Sequence, residues 1–216
     1  MKEVWALIGM QMKTEWRQRY AINGVLLHVA ATVFVVQLSA KITNPPTWNA
    51  IFWILMLFST ISAIGRSFIQ ESRGRLLYYY GLAKPLHFIL SRLIYNSIVM
   101  VFLSTACLAF YILFIGNPIQ YIGMYGVIVI LASVGYASVF TMISAIASKS
   151  GNSHILMPVL SFPMIIPLLL VAIKASKKAM DGLEPSLMYQ DIGILIFLNV
   201  AIIALSAVLF PFLWKE

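Results

Sequence analysis

Six apolar runs, each close to the length of a bilayer crossing, alternate with polar connections along this chain: Ile22–Ala40, Trp48–Gly65, Leu93–Ile115, Ile122–Ala147, Ile155–Ile173 and Ile192–Leu213. A helix rises about 1.5 Å per residue and hydrocarbon is about 30 Å thick, so roughly 20 apolar residues make one crossing. The pattern predicts six transmembrane helices that use up residues 1–216 as one membrane domain. Ahead of the first run lies MKEVWALIGMQMKTEWRQRY (residues 1–20). Trp5, Ile8, Met12, Trp16 and Tyr20 fall on one helical face, with Lys2, Glu3, Lys13 and Arg17 clustered on another. This predicts an amphipathic helix at the membrane interface. It serves either as a simple anchor or as an elbow feeding the first span.

Composition agrees with the pattern. Of 216 residues 61% are hydrophobic and 10% charged, and the mean hydropathy of +0.92 excludes a soluble domain of this size. The net charge of +8 invites a nucleic-acid reading, but its distribution argues for membrane topology instead. Eleven Lys and Arg fall in the N-terminal tail, the 66–92 connection, Lys149 and Lys215, against four (Lys41, Lys174, Lys177, Lys178) on the alternate side. Positive residues stay cytoplasmic, so both termini are expected there, facing anionic lipid, with no nucleic-acid partner. No cleavable signal peptide is expected, because the first apolar run follows about twenty charged and mixed residues. The single Cys107 provides no disulfide framework. The expected location is the cytoplasmic (inner) membrane of a bacterium, multi-pass.

The most unusual connection is residues 66–92. It carries Arg66, Arg73, Arg75, Lys84 and Arg92 against one acid, Glu71. Gly74 to Leu82 has room for about two helical turns before Lys84-Pro85. A basic, helical loop among short ones points to a cytoplasmic partner, and an ATPase is the expected one. In the fifth run Pro158, Pro163 and Pro167 each remove a backbone donor. Broken backbone at membrane depth needs protein or a water-filled cavity around it. This segment is therefore expected to face the bundle interior and to bend or re-enter, either as a gate or as a kinked span with nothing bound. The 174–191 loop is the longest on the outer side, with room for a short surface helix. Ser133, Ala137, Thr141 and Ala145 form a small-residue stripe that suits helix packing within the monomer or a dimer seam. Asn96 and Asn199 suit hydrogen-bonded glue between helices.

What the chain lacks narrows the function. No span contains an acid, and Asp191 lies at an outer edge, which disfavours an ion-coupled carrier. Paired broken helices in inverted repeats are also missing. Neither G-x-S-x-G, H-E-x-x-H nor G-x-x-x-x-G-K-[ST] occurs, so no catalytic residue or metal site is expected, and any ATP is bound by another chain. His28, His87 and His154 share no spacing that builds a haem or metal site.

Three stretches resemble the CcmB family, the permease subunit of the cytochrome c maturation haem exporter, an ABC transporter. They are Arg66-x-Phe68 followed by Glu71-x-x-Gly74-x-Leu76, Lys84-Pro85 leading into Arg92, and LMPVLSFPMIIPLLL with Pro163 and Pro167. Gly65 and Leu77 depart from the acids expected at their places, and Tyr78-Tyr79-Tyr80 is more aromatic than the family pattern. The resemblance implies an exporter-type, ABC-2-like permease, self-paired and bound to a CcmA-like ATPase, beside CcmC-like and CcmE-like haem-handling proteins. It implies a coupling helix at Gly74–Leu82; on that picture our own expectation is that Arg73 and Arg75 meet ATPase acids while Leu76, Leu77 and Tyr79 bury in its groove. It also implies that ATP hydrolysis on the partner drives either export of haem as cargo or release of the haem-loaded chaperone. The alternative is an exporter permease of the same fold with a drug, lipid or polysaccharide cargo.

Overall fold

A computed structural model describes residues 2–17, 20–39, 44–64, 84–149 and 153–215. Among them are seven helices and no strand: α1 (Lys2–Arg17), α2 (Tyr20–Ser39), α3 (Pro45–Ile64), α4 (Pro85–Ile115), α5 (Ile122–Ser148), α6 (Ser153–Met180) and α7 (Ser186–Lys215). Among the described residues five helices, α3 to α7, are long and apolar enough to cross a membrane. The helix expected as the first span is α2, whose apolar stretch among the described residues is Leu26–Ser39.

The bundle is built around α5, which packs against α3, α4, α6 and α7. Every residue from Gly135 to Ala145 is buried. Ala137, Thr141 and Ala145 of the small-residue stripe lie in this stretch and Ser133 is buried just before it, so the stripe is spent on packing inside the monomer. Their hydroxyls are satisfied within the helix, Ser133 by the Val129 carbonyl (2.6 Å) and Thr141 by the Ala137 carbonyl (2.5 Å). The same Thr141 accepts from Asn96 Nδ2 of α4 at 2.8 Å, the cross-helix amide contact expected of an in-membrane asparagine. Gly135 allows the closest approach. A Cβ there would collide with Leu168 Cδ1 of α6 and Asn199 Oδ1 of α7.

Helix ends differ from hydropathy in two places. The chain is helical from Pro85, so Pro85–Arg92, read as part of the polar connection, is the first two turns of α4. Lys84 supplies an extended backbone (φ −69°, ψ 141°) and Pro85 presets the helical φ at the first position. In 174–191, expected on the outer side, there is no separate surface helix. Lys174–Met180 prolong α6, and α7 resumes at Ser186 after a tight turn. The turn is a Schellman cap: Leu183 N donates to the Lys178 carbonyl (3.2 Å), and Gly182 takes the left-handed φ of +69°. Any side chain at Gly182 would also strike Gln120.

The triple-proline segment is another departure. The helix α6 is continuous from Ser153 to Met180, through Pro158, Pro163 and Pro167, and does not re-enter. Pro163 and Pro167 lie on its exposed side, while Ser161, Ile165, Leu168 and Ala172 form the buried one. Proline is tolerated in membrane helices where other groups take up the freed carbonyls, and the two prolines on the exposed side free those of Val159 and Pro163.

Helix α1 docks on α4. Its buried positions are Val4, Ile8 and Gln11, and the first two make a small apolar cluster with Tyr95 and the partly buried Val99 of α4. Of the face read from sequence, Ile8 is covered while Trp5 and Met12 remain exposed.

Candidate functional site

Of the residues expected to couple to an ATPase, Arg73, Gly74, Arg75, Leu76, Leu77 and Tyr79 lie outside the described residues. The connection rejoins the described chain at Lys84. Three residues on, His87 Nδ1 lies 2.6 Å from Glu3 Oε2 of α1, which ties the two helices in register. The contact holds the Glu3 carboxyl below its ordinary value, chiefly through the hydrogen bond from His87. Arg92, expected in a polar loop, is buried on α4 with its guanidinium 5.6 Å from the centre of the Phe88 ring. Phe88 stacks in turn on Phe210 of α7 (6.0 Å between ring centres), which closes this end of the bundle.

The opposite end holds a polar hub that the pattern of apolar runs does not reveal. Asn49, in the first turns of α3, is almost fully buried. Its Oδ1 accepts from Trp53 Nε1 (3.1 Å) and Tyr125 Oη (3.0 Å), and its Nδ2 donates to Ser176 Oγ (3.0 Å). Trp53 Nε1 also reaches Ser176 Oγ at 2.9 Å. One amide thus joins α3, α5 and α6. Around it Tyr111 and Tyr125 pack edge-on or tilted against the stacked rings of Trp48 and Phe52, and the Trp48 and Tyr111 ring centres are 4.6 Å apart. Tyr111 Oη donates to the Trp48 carbonyl (3.1 Å), which adds α4 to the same knot, and Trp48 Nε1 donates to the Gly116 carbonyl beyond the end of α4 (3.1 Å). The sequence signal that could have found the hub is the Asn49–Trp53 spacing of four, which stacks an amide against an indole donor on one helical face.

Next to the hub, Asp191 at the start of α7 is 1% exposed. Lys178 Nζ of α6 donates to its Oδ2 at 2.6 Å and to the Leu187 carbonyl at 2.8 Å. Lys174 approaches its other oxygen at 3.4 Å from a largely exposed position. The buried carboxylate is therefore charge-compensated, and it clasps the two helices across their five-residue turn. Asn199 donates to the Leu131 carbonyl (2.9 Å) in the way expected of helix glue. His28 is exposed on α2, and the His154 side chain lies outside the described ones.

The arrangement is a helical membrane domain, with Asn49, Asn96, Asn199 and Asp191 joining helices. The model of the CcmB family, described as CcmB protein, matches residues 2–214. The chain belongs to the CcmB family. Membership carries the coarse role with it: a multi-pass membrane protein acting as the permease of an ABC transporter in cytochrome c maturation. The match covers the N-terminal helix and α7 as well as the three stretches that carried the sequence resemblance. No curated protein and no solved structure matches the chain.

Proposed function

We propose that this chain couples ATP hydrolysis, carried out by a separate CcmA-like ATPase, to movement of its own helices in cytochrome c maturation. The observation that carries this reading is the family match over residues 2–214. On its own the chain is not an enzyme and binds no cofactor. ATP resides on the partner, and haem, where it is involved, is cargo. The basic 66–92 connection, with both termini on the same side by the distribution of Lys and Arg, faces the cytoplasm of a bacterium and its inner membrane. Within it Gly74–Leu82 seats on the ATPase. Arg73 and Arg75 meet acids there, and Leu76, Leu77 and Tyr79 enter an apolar groove.

The work delivered is release of a haem-loaded CcmE-like chaperone from a complex that includes a CcmC-like protein, in preference to passage of haem through the spans. Two features support that choice. The described bundle is packed around α5, and Asn49, Asn96, Asn199 and Asp191 are engaged by neighbouring helices while most buried hydroxyls bond to their own helix backbone. In this reading α2 is a sixth span, α1 lies at the interface with Trp5 and Met12 towards lipid, and the permease works as a pair.

Co-purification in detergent tests the reading. Wild type is compared with Arg73→Glu/Arg75→Glu, and partners are identified by mass spectrometry. An ATPase retained by the wild type, lost by the double reversal and regained with opposite reversals on the ATPase is the expected result. Absence of any ATPase from the wild type would overturn it.

A further inference from the structure

We propose that α1 and α4 form one transmission unit, in which the docked N-terminal helix steadies the inner end of α4 so that displacement at Lys84–Pro85 is delivered to the Tyr111–Trp48 contact at the outer end. The inference rests on the reading that the 66–92 connection receives thrust from an ATPase.

Three observations carry it. First, α4 is a 31-residue helix. At about 1.5 Å per residue it is roughly 46 Å long against about 30 Å of hydrocarbon, so its first turns stand clear of the membrane core. Second, after Pro85 it contains neither Gly nor Pro, the usual causes of sharp kinks. Helix α6 carries three prolines and α7 carries Gly193 and Pro211, so α4 is the stiffer path across the bundle than either of these. Third, both ends are gripped. At the outer end Tyr111 is bonded to the Trp48 carbonyl and wedged against the Trp48 and Phe52 rings. At the inner end His87 meets Glu3, and Tyr95 and Val99 are covered by Val4 and Ile8.

The two inner contacts have different roles. The Glu3–His87 pair is solvent-accessible and is a weak tie of the kind that fixes register. The apolar dock supplies the adhesion, through van der Waals packing of Val4 and Ile8 against Tyr95 and Val99. Without the dock, a push on the protruding turns of α4 would tilt them sideways. With it, the push travels along the axis to the hub, and from there through Asn49 to Ser176 on α6 and to the exposed Lys174 two residues before Ser176.

The test reads the outer end while ATP acts at the inner one. Lys174→Cys is introduced into this chain, whose only native cysteine, Cys107, is buried, and in the full complex labelling of this chain by a membrane-impermeant maleimide is followed with and without ATP. Labelling is expected to change on ATP addition in this parent. The change is expected to be lost when Ile8→Glu is added, reduced by Val4→Ala/Ile8→Ala, which trims the dock without adding charge, and kept by Trp5→Ala on the exposed side of α1. The ATPase should co-purify with all of them.

An ATP response that survives both dock variants would overturn the proposal. So would no response in a parent that holds a hydrolysing ATPase. Loss of the ATPase from both dock variants would make α1 an assembly element and overturn transmission. A parent that never holds an ATPase instead refutes the function proposed above, a failure that co-purification separates from the others.

Discussion

Asn49 Nδ2 donates to Ser176 Oγ at 3.0 Å across 127 residues of sequence, and Asn49 Oδ1 takes up the Trp53 indole and the Tyr125 hydroxyl on its other side. A single amide in the first turns of α3 therefore holds donors and acceptors from three helices in an otherwise apolar setting. Its removal strands the Tyr125 hydroxyl and takes one partner from Trp53 and from Ser176.

Substituting Asn49→Leu leaves the Tyr125 hydroxyl without its acceptor and leaves Trp53 only Ser176. Each buried polar group so exposed costs about 1–3 kcal/mol. Ser176→Ala leaves Asn49 Oδ1 still bonded to Trp53 and Tyr125. Thermal unfolding in detergent should show a large loss for Asn49→Leu, about 2–4 kcal/mol, and about 1 kcal/mol for Ser176→Ala. Equal effects would mean that the hub is not centred on Asn49.

The clasp between α6 and α7 predicts an asymmetry between two lysines. Lys178 is the short-range partner of the buried Asp191, whereas Lys174 is 67% exposed and further away. Breaking a buried pair by removing one partner costs about 3–5 kcal/mol. Lys178→Met should fall at or just below the lower limit, because Lys174 still faces the carboxylate. Lys174→Met should be close to neutral. Melting temperatures of the two variants, measured side by side, check the order.

Close packing at Gly135 gives a third expectation. Adding a methyl there drives it into Leu168 and Asn199, an overpacking that typically costs about 1–3 kcal/mol. Gly126→Ala, on the same helix with open space around it, should be silent. Denaturation of the two variants decides between them.

Acid should loosen α1. The Glu3 carboxyl is held below its ordinary 4.5 by the His87 contact, so the charged form is favoured in the docked state. A depressed folded-state value means that the stabilisation is complete above about pH 4.5 and is lost as pH falls through the lower folded value. Cross-linking between cysteines placed on α1 and α4 should hold steady from neutral pH down to that point and then decline. In Glu3→Gln this acid step should be missing.

Much of this architecture is legible in the apolar runs, because lipid burial and helix formation impose the same demand over α3 to α7. Their ends are less legible for a physical reason. Hydropathy senses where hydrocarbon stops, whereas a helix stops where its backbone is capped. Lys174–Met180 reads as polar loop, yet it consists of good helix formers and continues α6 until Gly182. Pro85–Arg92 reads as connection because Arg92 is charged, yet Phe88 gives that charge a buried place on α4. The prolines of α6 illustrate the opposite error, since their local effect suggests a break and the continuous helix absorbs them. The amide roles of Asn96 and Asn199 follow from type and depth alone. The Asn49 hub does not, because Ser176 and Tyr125 become its neighbours only through packing of distant helices.

The hub also constrains the order in which the molecule can be made. When α3 enters the bilayer, Ser176 lies 127 residues downstream and has not been synthesised. Trp53, one turn along the same helix, is the only hub partner already present to engage the Asn49 amide. Asn49 lies in the first turns of α3, and its amide waits for its final partners until α5 brings Tyr125 and α6 brings Ser176. The amide is thus a late-closing fastener. It accepts its final partners only after the nascent chain has threaded three more helices, and a bundle that assembled in the wrong order would be marked by an asparagine still without them.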